Sequence, residues 1–406
     1  MIDFAALFAK DLPPPAMRPG GFPRFNFIGG HNDREIVPVE ALAQAALRTI
    51  RKEGRDLATY NMAYGAMGHT GLRKFLATKL ATKRGIAAPV EDILITSGSS
   101  QGLDLVNQAL LERGDTVVME ELTYSGAITK VKRRGVEVVG VPLDADGIRP
   151  DALAATLERL RSAGKRVKYI YVVPTIQNPT GTVLPIERRM ELLRISDATG
   201  VPIFEDECYA DLLWDGEWPT AIRGLPGGES VIHIGSFSKS LAPALRLGYA
   251  TAPWEVMSRL IACKSDGGTP AIEQMVVADY FTEHFDDHVA KLKQALRRKL
   301  EVVISSLEEQ FGTAAEFSRP KGGIVVWVKL PEAVDTTKLA AAALQAGIAF
   351  NPGREWSTDP EATKHHLRIC FALPTEQEIR DGIAKLAEVC QQETGVPLRR
   401  ANVGGR

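Results

Sequence analysis

Lysine forms Schiff bases with carbonyl compounds once its ammonium is made easier to deprotonate. Lys239 stands where such chemistry could be supported, in the stretch VIHIGSFSKSLAPALRLGYA from Val231 to Ala250. The β-branched run Val231–Ile234, closed by Gly235, predicts a buried strand leaving a sheet. Ser236, Ser238 and Lys239 follow on the turn, and Arg246 comes seven residues after the lysine. A dianionic phosphate needs several donors and a fixed positive charge, which two hydroxyls and a guanidinium supply. Aldehyde and phosphate occur together in pyridoxal 5′-phosphate (PLP). A solvated lysine on a polar turn is the plainer alternative.

Other segments offer groups that such a ring would need. Thr96–Gly102 (TSGSSQG) lies between a strand and a helix, and a helix N-terminus there, with Ser99 and Ser100, presents N–H donors and a dipole to an anion. Ordinary N-capping explains the same residues. Asn178, in QNPTG, either builds a turn or donates its amide to an anionic ring oxygen. Asp206, at the end of an apolar strand within FEDECYAD, can pair with a protonated pyridine nitrogen, the partner that makes PLP an electron sink. Three consecutive acids, Glu205–Glu207, otherwise read as a solvated turn. Tyr209 can hydrogen-bond the ring's phenolic oxygen, and Tyr124 can stack on the ring or pack in a core. Arg368, alone in the apolar run LRICF, needs an anion: either a substrate carboxylate in a two-point fork or an internal salt bridge.

The elements around these residues are legible from periodicity. Residues 92 to about 280 alternate apolar β-branched runs (Ile93–Thr96, Thr116–Met119, Val136–Val141, Val167–Val173, Val201–Phe204) with helical spacings (Gln101–Leu111, Ser125–Arg134, Asp151–Ala163, Ile186–Thr199). This pattern predicts an α/β fold, a mostly parallel sheet covered by helices on both faces. Ligands of such sheets bind at the carboxyl ends of the strands, where the residues named above fall. Earlier in the chain, Phe25–Ile28 reads as a short strand, Val39–Arg51 as a helix, and a further helix starts near Leu72. Past Ala290 a helix over 290–311, strands at Gly323–Leu330 and Leu367–Phe371, and helices at Thr336–Ala346 and Gln377–Gln391 predict a smaller α+β domain. The expected division is an N-terminal arm 1–30, rich in proline (Pro13–Pro15, Pro19) and carrying Gly20-Gly21, the first part of the small domain 31–55, a large domain 56–285, and the rest of the small domain 286–400.

With 406 residues the chain exceeds one ordinary core. Its 24% charged residues and net charge of −1 give no reason to expect nucleic acid or an anionic membrane as partner. The N-terminus lacks the charged and apolar regions of a signal peptide, and no run approaches a membrane span. Four scattered cysteines, without CxxC spacing, argue against a metal site or a disulfide framework. A cytoplasmic location is the expectation.

Taken together, SGSSQGLDL, QNPTG, FEDECYADL, GSFSKSLAPALRLGY, RPKGGIVVWVKL and LRICFAL make this chain resemble the fold-type I, class I/II PLP-dependent aminotransferases, especially those similar to 2-aminoadipate and kynurenine aminotransferases. The resemblance spans about Phe27 to Cys390. It implies the PLP-dependent transferase fold, a large domain with a small one built from both chain ends, and a homodimer. It implies Lys239 as the Schiff-base lysine, Asp206 as partner of the ring nitrogen, and Asn178 and Tyr209 at the ring oxygen. Ser99, Ser100, Ser236, Ser238 and Arg246 would form the phosphate cup, and Tyr124 would stack on the ring. Arg368, Gly30 and Asn178 would bind the substrate, and Tyr64 would reach the phosphate of the neighbouring subunit. Arg24, His31 and Arg354 lie in segments that match substrate-facing ones. The implied reaction moves the amino group of an L-amino acid to a 2-oxo acid, 2-oxoglutarate being the expected acceptor. β-Elimination or decarboxylation on the same cofactor are alternatives. A non-catalytic PLP sensor is another, disfavoured because only about 25 residues precede the resemblance, too few for a DNA-binding module.

Overall fold

A computed structural model describes residues 2–8, 12, 15 and 21–397. Pro13, Pro14, Pro19 and Gly20 of the expected arm, and residues 398–400 of the expected last segment, lie outside the described residues. The centre of the fold is a seven-stranded sheet of β1 (Leu94–Thr96), β2 (Thr116–Glu120), β3 (Glu137–Val141), β4 (Val167–Val172), β5 (Ile203–Asp206), β6 (Ile232–Ser236) and β7 (Gly248–Thr251). The spatial order is β1-β7-β6-β5-β4-β2-β3. Neighbours are parallel except β7, which runs antiparallel to both β1 and β6. Strands β1, β2, β5, β6 and β7 are buried at every position, as befits a sheet covered by helices on both faces.

Helix Ser99–Leu110 begins two residues earlier than its periodicity predicts. Gly98 precedes it at φ +76°, a conformation glycine adopts without steric cost, so Ser99 and Ser100 fall in the first helical turn. Helix Ile186–Thr199 has the predicted bounds, and Gly200 closes it in the left-handed region.

A second, antiparallel sheet contains β8 (Glu316–Phe317), β9 (Val325–Lys329), β10 (Asn351–Pro352) and β11 (His366–Cys370), in the order β8-β9-β11-β10. Phe25–Asn26 pairs in parallel with Ile348–Ala349, which carries the start of the chain into this part of the molecule. Phe25 and Phe27 share a core with Leu296, Leu300, Val326, Ile369, Ile383 and Leu386.

The helix expected over 290–311 instead begins at Ala271 and runs unbroken for 41 residues to Phe311. Pro270 stands at its N-cap, and no glycine or proline interrupts it afterwards. Val277, Phe281, Phe285 and Val289 pack with Leu72, Leu76 and Tyr249 beside the main sheet, whereas Leu292 and onward pack in the second core. The expected boundary at 285/286 thus falls within a continuous helix that changes partners between Val289 and Leu292.

Leu300 is fully buried where this helix meets helix Glu376–Thr394 and β9. Leu300→Ala is expected to destabilise the protein by about 2–5 kcal/mol through lost transfer energy and a residual cavity, read as a lower midpoint in chemical denaturation.

Candidate active site

The carboxyl ends of β4, β5 and β6, the start of helix Ser99–Leu110 and the second sheet enclose a cavity of about 320 Å³. Its walls include Gly30, Ser99, Ser100, Tyr124, Asn178, Asp206, Tyr209, Ser236, Ser238, Lys239, Arg246 and Arg368. The residues expected to hold the cofactor and the substrate carboxylate are all among them except Tyr64; Arg24, His31 and Arg354, expected in the substrate pocket, do not line the cavity.

Lys239 is delivered by the turn after β6. Phe237 is buried against Tyr249 and Phe281, while the Ser238 N–H donates to Ser236 Oγ at 3.1 Å, so the intervening hydroxyls and the lysine face the cavity. Asn32 Nδ2 donates to the carbonyls of Lys239 (3.1 Å) and Leu241 (3.0 Å), fixing the backbone on either side of Ser240. Lys239 Nζ donates to the Gly30 carbonyl at 2.6 Å. Burial pushes the Lys239 ammonium below its ordinary value, and Arg368 and Arg246 add repulsion. That is the direction a nucleophilic amine needs.

Asp206 ends β5. Tyr171 donates its hydroxyl to Oδ2 at 2.8 Å and the Cys208 N–H donates to Oδ1 at 3.1 Å. Burial nevertheless raises the Asp206 carboxyl, and these hydrogen bonds only partly offset it. A cation brought into the cavity would stabilise its charged form.

At one end of the cavity the Ser99, Ser100, Ser236 and Ser238 side chains meet Arg246, whose Nη1 and Nη2 donate to the carbonyls of Pro243 (3.1 Å) and Ser97 (3.3 Å). A Cβ on Gly98 would overlap Arg246 Nη2, so glycine is required there by space as well as by φ. Gly248 has no room either: a Cβ would lie 2.5 Å from the Ser99 nitrogen.

Arg368, on β11, is almost fully buried. Its Nη1 donates to Asn178 Oδ1 (3.1 Å), its Nη2 to Asn351 Oδ1 (3.0 Å) and to the Gly29 carbonyl, and its guanidinium lies 3.8 Å from the centre of the Trp356 ring. Neither Arg368 nor Lys239 forms an ion pair among the described residues, so the internal salt bridge left open for Arg368 is not what holds it. Because Asn178 Oδ1 accepts from Arg368, its NH₂ is the end left to donate.

Sequence reasoning missed several residues of this cavity. Trp356, Asn351, Cys208, Ser125 and Val173 also line it, and Asn32 and Tyr171 support it from behind. The only signal for Trp356 and Asn351 was an aromatic just after an Asn-Pro-Gly turn. Two of the substrate-pocket candidates are elsewhere. Arg24 lies over the Phe25 ring and lines a different hollow with Arg298 and Glu376, and Arg354 is ion-paired with Asp335 and Glu361. His31 is close enough to Lys239 to feel its charge; burial first, then Lys239 and Arg34, push its pKa down. The acids Glu205–Glu207 are buried rather than on a solvated turn. Tyr64 donates its hydroxyl to Glu53 at 2.8 Å, outside the cavity.

The sequence profile of the family "Aminotransferase class I and II" matches residues 29–386. The chain belongs to this family. It is 32% identical over 371 residues to an aromatic-amino-acid aminotransferase of Thermococcus litoralis, covering 91% of this chain and 88% of that one. Among solved structures it is similar to a multiple substrate aminotransferase from Thermococcus profundus, with a TM-score of 0.87 at 30% identity over 97% of this chain and 100% of that one. It is also similar to the alpha-aminoadipate aminotransferase of Thermus thermophilus, complexed with N-(5′-phosphopyridoxyl)-L-leucine, with a TM-score of 0.82 at 31% identity over 91% and 92% of the two chains. This aminotransferase is a PLP-dependent enzyme. Its cavity fits that cofactor: hydroxyls, a helix N-terminus and a guanidinium suited to a phosphate, a buried carboxylate at a strand end, and a buried lysine without an anionic partner among the described residues.

A Cβ on Gly30 would overlap Lys239 Nζ and lie 3.2 Å from Cε. Gly30→Ala is therefore expected to push the lysine from its position and lower kcat/KM on the order of 100-fold, measured by steady-state kinetics on a variant whose melting temperature is unchanged.

Proposed function

We propose that this aminotransferase takes the amino group of an L-amino acid and passes it to 2-oxoglutarate in two half-reactions, with the residue roles that follow. PLP, when bound, supplies an electrophilic carbon and a ring that takes up negative charge from the substrate Cα. Ser99, Ser100, Ser236, Ser238 and Arg246 bind its phosphate, and Tyr124 covers the ring. Asp206 holds a proton on the ring nitrogen, and Asn178 and Tyr209 donate to the ring oxygen. Arg368 binds the substrate α-carboxylate in a two-point fork, with Asn178, Asn351 and the Gly29 carbonyl fixing the guanidinium. Lys239 Nζ takes the proton from Cα as general base and returns it to the cofactor carbon as general acid.

The observation that supports this reading best is the meeting of Lys239, Asp206 and Arg368 in one cavity, the two cations lacking any internal ion pair among the described residues. A panel of L-amino acids, followed by loss of the PLP absorption band with and without 2-oxoglutarate, tests it. Lys239→Ala is expected to bind PLP, to give no borohydride-reducible adduct and not to turn over. Asp206→Asn is expected to keep the reducible adduct and lose about 100-fold or more in rate. Near-normal transamination by Lys239→Ala would defeat the assignment, and conversion of no L-amino acid would defeat the substrate class.

We further propose a cytoplasmic homodimer in which Tyr64 serves the partner's cofactor phosphate, each protomer comprising a large domain and a small one joined by helix Ala271–Phe311. Supporting the dimer, Tyr64 lies outside its own cavity. The loop before it holds Asn61, Met62 and Ala63 at φ of +57°, +48° and +60°, and Tyr60 is 90% exposed. Non-glycine residues held there are strained, and such strain is kept where surroundings over-determine it. All four cysteines are unpaired, which accords with a reducing compartment. No helix among the described residues is long and apolar enough to cross a membrane. Tyr64→Phe is expected to weaken PLP binding about tenfold, the loss of one hydrogen bond to a charged group. A fully active monomer in sedimentation at assay concentration would rule the arrangement out.

A further inference from the structure

On the face of the main sheet opposite the cavity lies a cluster of buried ionic groups that the reaction does not touch. Arg84 Nη2 is 2.6 Å from Glu207 Oε2, and Arg189 Nη1 is 3.5 Å from Oε1; all three side chains are almost fully buried. Thr175 sits at the centre. Its hydroxyl donates to Glu207 Oε1 (2.9 Å) and accepts from Arg84 Nη2 (3.1 Å) and Arg189 Nη2 (2.8 Å). Arg189 also donates to the carbonyls of Pro174 (3.0 Å), Leu184 (2.9 Å) and Thr220 (3.0 Å). Buried ion pairs add little stability beyond what apolar packing would give; what they can fix is geometry.

This cluster ties together two segments that reach the cavity. Thr175 opens the loop that carries Asn178, and Glu207 opens the turn that carries Tyr209. Between Thr175 and Asn178, Ile176 is held at φ +59°, a left-handed conformation that is unfavourable for a β-branched residue. Such a conformation persists only when fixed from several sides. Ile176 packs so closely on Gly322 and Gly323 that a Cβ there would meet it at 2.5 and 2.8 Å. The tie through Thr175 fixes the loop on the other side.

We propose that Glu207, Arg84 and Arg189, acting through Thr175, are positioning residues that set Asn178 relative to Tyr209 across the cavity. The inference rests on the reading above, in which both side chains donate to the ring oxygen of PLP. Donors on an anionic oxygen weaken its hold on a neighbouring proton, so loosening one raises the pH at which that proton is lost. The midpoint of the pH-dependent absorption change of the Lys239-linked cofactor reports this. Asp206, Cys208, Tyr209, Arg246, Arg368, Cys370 and His31 surround Lys239 electrostatically or in the cavity wall, and all are untouched by the variants of the cluster. Behind the sheet, Glu205, Lys79 and Asp211 are the charged neighbours of the cluster, and they too are retained.

Thr175→Val removes the hydroxyl, keeps nearly the same shape and leaves the Arg84–Glu207 ion pair in place. In the holoenzyme it is expected to raise the midpoint by about 0.5 pH unit or more and to lower kcat more than it changes KM, and Thr175→Ser is expected to restore both. A folded T175V with a midpoint within about 0.3 pH unit and kcat within about twofold of the parent protein overturns the proposal, even if its melting temperature has dropped. If T175V does not fold, Arg189→Lys, which keeps the charge and loses the fork, decides the matter by the same readings. Asn178→Ala is the reference. If it leaves the midpoint unmoved, the role given to Asn178 fails and this proposal falls with it; if it moves the midpoint and T175V does not, only the positioning role fails.

Discussion

Two cations, Lys239 and Arg368, are buried against one cavity with only neutral oxygens as hydrogen-bond acceptors. Taking charge out of water without an opposite charge is among the least favourable arrangements a folded chain can contain. Carbonyl and amide dipoles from Gly29, Gly30, Asn178 and Asn351, and the face of Trp356, offset part of that cost. An anion paired with the arginine would relieve part of the remainder, and an aldehyde that removed the lysine's charge would relieve the rest. The rest of the architecture can be understood as the means of holding these two groups in place while denying them an internal carboxylate.

Much of that work falls to a short segment near the start of the chain. Gly29 and Gly30 present carbonyls to Arg368 and Lys239, Asn32 holds the backbone around Lys239, and Asp33 forms an ion pair with Lys299 at 2.9 Å. Lys299 belongs to the half of helix Ala271–Phe311 that packs in the second core. One stretch of five residues thus links the lysine on the main sheet to the arginine on the second. Gly30 can approach the lysine because it lacks a Cβ, and Gly29 before it takes a positive φ of 77° that glycine adopts without cost. Movement of the second core relative to the first would change both polar contacts together.

What was legible in the sequence was whatever local pattern determines. Lys239, Asp206 and Asn178 each follow an apolar β-branched run, so their place at strand ends could be read from periodicity alone. Ser99 and Ser100 were legible because Gly98 marks a helix start. Residues whose position depends on pairing distant in sequence were not legible. Trp356 enters the cavity because Thr123 donates its N–H to the Trp356 carbonyl at 2.9 Å and Leu122 bridges Ser357, a register no local pattern announces. Arg24 and Arg354 looked available because charge is visible in a sequence and its partner is not; Arg354 is occupied by Asp335 and Glu361. The long helix was read short because its first half packs on one core and its second half on another, and only the second half lies in the stretch where the pattern changes character.

The acids Glu205, Asp206 and Glu207 show how a local rule and distant partners combine. A strand sends successive side chains to opposite faces. Asp206 goes with Tyr171 toward the cavity, while Glu205 and Glu207 go to the other side. There Glu205 accepts from the N–H groups of Ile222 (2.7 Å) and Arg223 (3.0 Å) and meets His233 Nδ1 at 3.3 Å; burial opposes its charge, yet His233 and these donors hold its carboxyl below the ordinary value. Glu207 is matched by Arg84 and Arg189. Glu207 thus takes up the two buried arginines on its side of the sheet. Asp206 accepts from a hydroxyl and an N–H, and burial raises its carboxyl, with these bonds and His233 offsetting the rise only in part. A carboxylate in that condition binds a cation offered from the cavity far more strongly than one already paired. A shift of one residue along the strand would turn Asp206 toward the arginines and bring a longer glutamate to the cavity in its place. The two-residue period of β5 is therefore what places Asp206 at the cavity and its neighbouring glutamates behind it.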